Sequence, residues 1–266
     1  MSQNTLLSVA GLTLGYKDIA VVQEVRFALA KGDVLAVVGH NGSGKSTLVR
    51  TLLGSLPPLA GRLDWPNGKP RSIAYLGQRS DFDTRFPIRV RDLAAMGSWS
   101  DLSFLGHVDK QSQAMVAMAL ERTGIADIAS MPLHKLSAGQ LQRALFARTM
   151  VQDAPLILLD EPFTAVDQST EAALLGLIDD WSAEGRTILL VLHDLSAVLQ
   201  HCTAALLLGK GMARFGPPKE VLTPQNLVDQ GYMSAGQAAW IEGMITGGQG
   251  GNQNAGTGDA KGSGHV

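Results

Sequence analysis

Apolar and polar residues alternate over 6–14 and again over 21–29, with Leu7, Val9, Leu12 and Leu14 in the first run and Val21, Val25, Phe27 and Leu29 in the second. A period of two predicts half-buried strands, joined here through the turn Gly15-Tyr16-Lys17-Asp18. A second turn, Lys31-Gly32-Asp33, leads into Val34–Val38, which is apolar without interruption. That is the pattern of a strand covered on both faces. Leu48 to Leu53 then repeats apolar residues at helical spacing. Leu56-Pro57-Pro58 and Gly61 break the chain. Arg62–Trp65 and a Pro66–Pro70 turn lead to a predicted strand at Ile73–Leu76 that ends at Gly77-Gln78.

From about residue 90 the period lengthens. Val90–Met96, Lys110–Thr123 and Leu141–Met150 read as helices, the second with Met115, Met118 and Ala119 as its packing face. We expect these helices to form a subdomain, at about 88–150, inserted into an α/β core. Leu156–Leu159 and Thr187–Leu192 are again continuous apolar runs. With a helix at about 169–182 between them they make a βαβ unit. Ala204–Leu208 and Met212–Phe215 form a final hairpin around Gly209-Lys210-Gly211. Residues 246–266 are nearly devoid of apolar side chains and cannot offset the entropy of ordering. The expected organisation is one domain over 1–245 and a disordered tail.

Composition narrows the class. At 45% hydrophobic and 17% charged residues the chain is globular rather than disordered. A net charge of -2 supplies no basic field for nucleic acid or anionic lipid. The single cysteine, Cys202, rules out an internal disulfide and reads as a structural thiol. Met1-Ser2-Gln3-Asn4 does not begin a signal peptide, and no apolar run reaches the roughly 18 residues of a membrane span. A cytosolic chain is expected, with any membrane attachment made through a partner.

Between the predicted strand and helix stands Gly39-His40-Asn41-Gly42-Ser43-Gly44-Lys45-Ser46-Thr47. In this pattern glycines let backbone N–H groups close around phosphate oxygens, and the helix start adds its dipole. Lys45 is placed to reach the β- and γ-phosphates and the Ser46 hydroxyl to ligate Mg²⁺. The chain should bind a nucleoside triphosphate. Leu156–Leu159 runs into Asp160-Glu161-Pro162, two carboxylates at the open end of a parallel sheet, where ligands bind. Asp160 fits a Mg²⁺-holding acid and Glu161 a group that polarises the attacking water. Leu136-Ser137-Ala138-Gly139-Gln140 precedes a helix and reads as a cap or an anion site.

Gly39–Thr47, Gln78, Leu136–Gln140, Leu156–Pro162, Thr164-Ala165-Val166-Asp167 and His193 resemble, in order, the Walker A loop, Q-loop, signature, Walker B, D-loop and switch histidine of the ABC transporter ATPases. The resemblance covers about residues 5–225. It implies a P-loop NTPase fold with a mostly parallel core sheet, an N-terminal antiparallel β-subdomain and an inserted helical subdomain. It also implies ATP and Mg²⁺ as ligands. Tyr16 would stack on adenine, and Gln78 would touch Mg²⁺ and the attacking water. Ser137, Ala138, Gly139 and Gln140 would complete the site of a second copy in a head-to-tail homodimer, with Asp167 at that interface. His193 would hydrogen-bond the γ-phosphate and the water. Two positions depart from the family pattern. Ala138 stands where a second glycine is usual, and His40 where proline is frequent, its ring expected to point away from the phosphates.

A finer resemblance lies in Tyr75–Pro87, followed by Asp92-Leu93 and Met96-Gly97. Gln78-Arg79-Ser80, then Asp81 and Asp83, then Phe86-Pro87, is similar to the ATPases of zinc and manganese importers, as is Glu161–Asp167. The resemblance implies an integral membrane permease as partner and a metal-binding protein on the far side of the membrane. The metal itself would not bind here. Arg79–Trp99 is the expected contact with the permease, through Phe82, Phe86, Met96 and Trp99. Other readings stay open at this point: a siderophore or haem importer, an exporter, or a soluble ABC ATPase acting on nucleic acid, which the near-neutral charge disfavours.

Overall fold

The uninterrupted apolar run after Asp33 forms strand β3 (Val34–Gly39), buried along its whole length. In the computed structural model, which describes residues 4–78, 86–98 and 110–239, β3 lies inside a six-stranded sheet. The strand order is β5 (Ile73–Leu76), β6 (Leu156–Asp160), β7 (Thr187–Val191), β3, β8 (Ala204–Gly209) and β9 (Met212–Gly216). All neighbours run parallel except β8 and β9. Because β6 and β7 flank the phosphate-loop strand on one side, their C-terminal ends open beside Gly39.

Alternate residues of these strands serve two cores. Leu35, Val37, Leu158 and Val191 face helix α1 (Lys45–Leu53) and a second, antiparallel sheet. That sheet has the order β2 (Ile19–Ala30), β1 (Thr5–Tyr16) and β4 (Ala60–Asp64). Its hairpin turns through Lys17 and Asp18, both at positive φ, as a two-residue connection requires. Ala36, Val38, Leu159 and Leu190 face the opposite core with α2 (Val90–Ala95), α3 (Lys110–Arg122), α4 (Ala138–Val151) and α5 (Gln168–Ala183). Both faces of every central strand are therefore covered, which is why their sequences carry no polar alternation.

Helices α2, α3 and α4 fall between β5 and β6 in the chain. Phe146 of α4 stacks on the fully buried Trp181 of α5, with ring centroids 5.7 Å apart. Arg122 at the end of α3 pairs with Glu184 at 2.8 Å and Asp180 at 3.3 Å. The packing face of α3 differs from the expected one. Val116, Ala119 and Leu120 are buried while Met118 is half exposed, because i, i+3, i+4 from Val116 gives the continuous apolar stripe. Among the described residues three short α-helices escaped the sequence pattern: α6 (Leu195–His201), α7 (Pro218–Val221) and α8 (Pro224–Asp229).

Of the expected permease contact, Phe86 is exposed and Met96 packs against the helix-side core. Arg79–Arg85, Trp99 and the tail at 246–266 lie outside the described residues. Cys202 is a free thiol packed against the same core.

Candidate functional site

At the end of β3 the chain reverses through His40–Gly44 and enters α1. Two glycines make this possible. A β-carbon on Gly39 would collide with the Ser43 hydroxyl and the Leu208 carbonyl. Gly44, at φ 99°, is the residue before α1, and a β-carbon there would sit 2.6 Å from Val22 Cγ2. The loop bounds a cleft of about 750 Å³ with Asn41, Gly42, Gly44, Lys45, Ser46 and Thr47 on one side. Tyr16 and Val21 of the antiparallel sheet form another wall, and Gln78, Glu161 and His193 close it from the ends of β5, β6 and β7.

Lys45 is 6% exposed, and its ammonium donates to the carbonyls of Gly39 at 2.8 Å and His40 at 3.1 Å. Burial lowers its pKa, and the charges of Glu161 and Asp160 oppose that shift. Both carboxylates therefore act electrostatically on the same ammonium. Asp160 is the last residue of β6 and is buried. Glu161 follows in the left-handed region at φ 52°, which turns its side chain out of the strand line. Its Oε1 lies 3.0 Å from Nε2 of His193.

His193 stands between β7 and α6. Leu192 N–H donates to Val37 O at 3.2 Å, and Asp194 caps α6 by accepting from Ser196 N–H at 2.8 Å. The Tyr232 hydroxyl donates to the His193 carbonyl at 2.7 Å. Burial and then the charge of Asp194 raise the phenol's pKa, keeping it a donor. Nothing in the periodicity marked Tyr232, and Val21 was legible only as a strand residue.

His40 does not line the cleft; its Nδ1 lies 2.8 Å from Asn41 O, and the ring faces Gly231. Tyr16 is partly exposed, and its hydroxyl accepts from Thr47 Oγ1 at 3.2 Å, which fixes the ring beside the loop.

Of the remaining candidates, Ser137, Gly139, Gln140 and Asp167, but not Ala138, line a separate cleft of about 210 Å³ with no lining residue in common with the first. Arg143 and Thr170 line it as well. Ser137 and Gln140 cap each other reciprocally, Gln140 N–H to Ser137 Oγ at 3.2 Å and Ser137 N–H to Gln140 Oε1 at 2.9 Å. That box starts α4 at Ala138, earlier than its apolar pattern implied. Ala138 has no positive φ, so the extra methyl is unstrained there. Gly139 is tighter: a β-carbon would lie 2.9 Å from Thr170 Oγ1. Asp167 caps α5, accepting from Thr170 N–H at 2.9 Å and Ser169 Oγ at 2.5 Å. The Ser169 hydroxyl and the Thr170 amide hold its carboxyl well below the usual range.

Comparison with known proteins agrees with this geometry. The ABC transporter family description matches residues 22–164. The zinc transport system ATP-binding protein TroB of Treponema pallidum is 37% identical over 76% of this chain and 77% of its own length. The manganese transport system ATP-binding protein MntB of Listeria innocua is 33% identical over 83% of this chain and 94% of its own. A solved structure of an inward-facing ABC transporter, assigned to the metal-chelate type, superposes with a TM-score of 0.79 at 31% identity, covering 86% of this chain and 90% of that one. A cleft of about 750 Å³ behind a glycine loop, with a carboxylate and an imidazole at its mouth, thus occurs on a chain that belongs to the ABC transporter family, as an ATP-binding, ATP-hydrolysing subunit.

Proposed function

We propose that this chain drives an importer of zinc or manganese. The observation that carries the reading is the convergence of Lys45, Glu161 and His193 on one cleft, in a chain whose relatives named above are zinc and manganese transport ATPases.

In this reading the phosphate loop, from Gly39 to Thr47, wraps the triphosphate with its backbone N–H groups, and Tyr16 stacks on the base. Lys45 leaves the Gly39 and His40 carbonyls for the β- and γ-phosphates. Ser46, Gln78 and Asp160 offer oxygen donors only, the set that Mg²⁺ prefers, and would hold that ion. When bound, the ion neutralises phosphate charge. Glu161 polarises the attacking water, accepting its proton, while His193 holds Glu161 and the γ-phosphate in register. The second cleft, with Ser137–Gln140 and Asp167, shares no residue with the first. That separation supports a head-to-tail homodimer in which it closes over the partner's nucleotide.

Among the described residues no helix is long and apolar enough to cross a membrane. The proposed partners are an integral permease, on whose inner face the chain sits, and through it an extracytoplasmic metal-binding protein, in keeping with relatives that belong to metal transport systems. The test is ATP turnover by the chain reconstituted with its permease in vesicles. Zinc- or manganese-loaded binding protein should stimulate turnover several-fold. Stimulation by a siderophore or haem carrier, with neither metal effective, overturns the cargo.

A further inference from the structure

His193 has little packing to hold it. Its side chain is 48% exposed, against 24% for Glu161. Where the imidazole sits is therefore decided by the backbone that carries it. That backbone is fixed on both sides of the histidine, by Leu192 N–H on Val37 O and by the Asp194 cap of α6. At His193 itself the anchor is the 2.7 Å bond from the Tyr232 hydroxyl.

The aim of Tyr232 is built by the chain that precedes it. Helix α8 ends in a nested pair of bonds, Tyr232 N–H to Leu227 O at 2.8 Å and Gly231 N–H to Val228 O at 2.9 Å. This is the Schellman arrangement, with Gly231 at φ 71° in the left-handed position. Leu227 is buried and seats the helix end. On the other side, Gln230 presses on Gly209 at the end of β8, where a β-carbon would meet the Gln230 carbonyl. The phenol is thus delivered to the His193 carbonyl by a rigid corner, on a segment remote in sequence from all the recognised motifs.

We propose that Tyr232 is a positioning residue for ATP hydrolysis, its hydroxyl fixing the His193 backbone so that the imidazole stays on Glu161. The inference rests on the reading that Glu161 and His193 carry hydrolysis. Tyr232 touches neither reacting atom; it acts through His193.

The test compares the full-length chain with Tyr232→Phe, His193→Ala and the double variant, measuring kcat, KM for ATP and affinity for a fluorescent ATP analogue. Tyr232→Phe removes one hydrogen bond and keeps the ring. It should lower kcat about fivefold, with KM and nucleotide affinity unchanged within about twofold. On the His193→Ala background it should have no further effect, since interacting residues are non-additive. Gly231→Ala strains the same corner and should reproduce the kcat loss, again only when His193 is present. A wild-type kcat in Tyr232→Phe, or an equal loss with and without His193, overturns the proposal while leaving the site reading intact. Normal turnover in His193→Ala instead overturns the site reading, and this inference with it.

Discussion

Nε2 of His193 and Oε1 of Glu161 lie 3.0 Å apart across the mouth of the phosphate cleft, joining the ends of two parallel strands that pair directly. On the proposed mechanism the two share one task, orienting a water against the γ-phosphate. Glu161→Gln keeps the shape and removes the proton acceptor. It should bind ATP normally and lose turnover by about a hundredfold or more. On the dimer reading, gel filtration with ATP should show an accumulated two-copy species. Wild-type turnover would refute the role.

Lys45→Ala tests the other side of the cleft. The ammonium now spends its donors on two loop carbonyls, and the nucleotide must compete for them. Charge-assisted bonds are worth about 1.5–3 kcal/mol each, so ATP affinity should fall by about tenfold or more. Isothermal titration measures it directly.

The two small residues of the Ser137 loop should respond differently. Ala138→Gly has no positive φ to relieve and should leave turnover within about twofold, with a small loss of helix stability. Gly139→Ala pushes a methyl against Thr170, beside the Asp167 cap. It should lower turnover markedly more than the change next door. Equal behaviour of the pair in a steady-state assay would contradict the packing argument.

Trp181→Ala opens a cavity where α5 stacks on Phe146 of α4. The loss should be about 3–5 kcal/mol, typical of a large buried aromatic. Urea unfolding should show the midpoint falling with little change in slope.

Cys202 carries a thiol pushed up to about 12 by burial and then by Asp179. Its ordinary value is 9.0. Because the folded value is raised, the native state favours the neutral thiol. This contribution to stability is complete below pH 9.0 and declines as pH climbs towards 12. A thiol reagent at pH 8 should label the folded chain slowly and the denatured chain at the rate of an ordinary cysteine.

Much of this architecture is legible in the residues. Val34–Val38, Leu156–Leu159 and Thr187–Leu192 are apolar on consecutive positions, and only strands covered on both faces demand that. Glycines at 39 and 44 and the serine at 137 also read directly, because each answers a local need for backbone room or a cap. Long-range closure is less visible. Met118 looked equivalent to Ala119 by composition, yet the stripe that α4 covers begins at Val116. Tyr232 had no local signature, since its significance is a contact with a residue 39 positions away. Helix α8, of 6 residues, is too short for periodicity to register.

The left-handed backbone of Glu161 has a consequence for how this chain can change. An L-residue at φ 52° is held there against a preference of about 1 kcal/mol for other conformations. Glycine at that position would relieve the strain and raise the melting temperature while removing the carboxylate. On the proposed role of Glu161, thermostability and turnover pull in opposite directions at one residue. A library selected only for heat resistance should discard Glu161 early, whereas one selected for ATP turnover should retain it and gather its stabilising changes elsewhere.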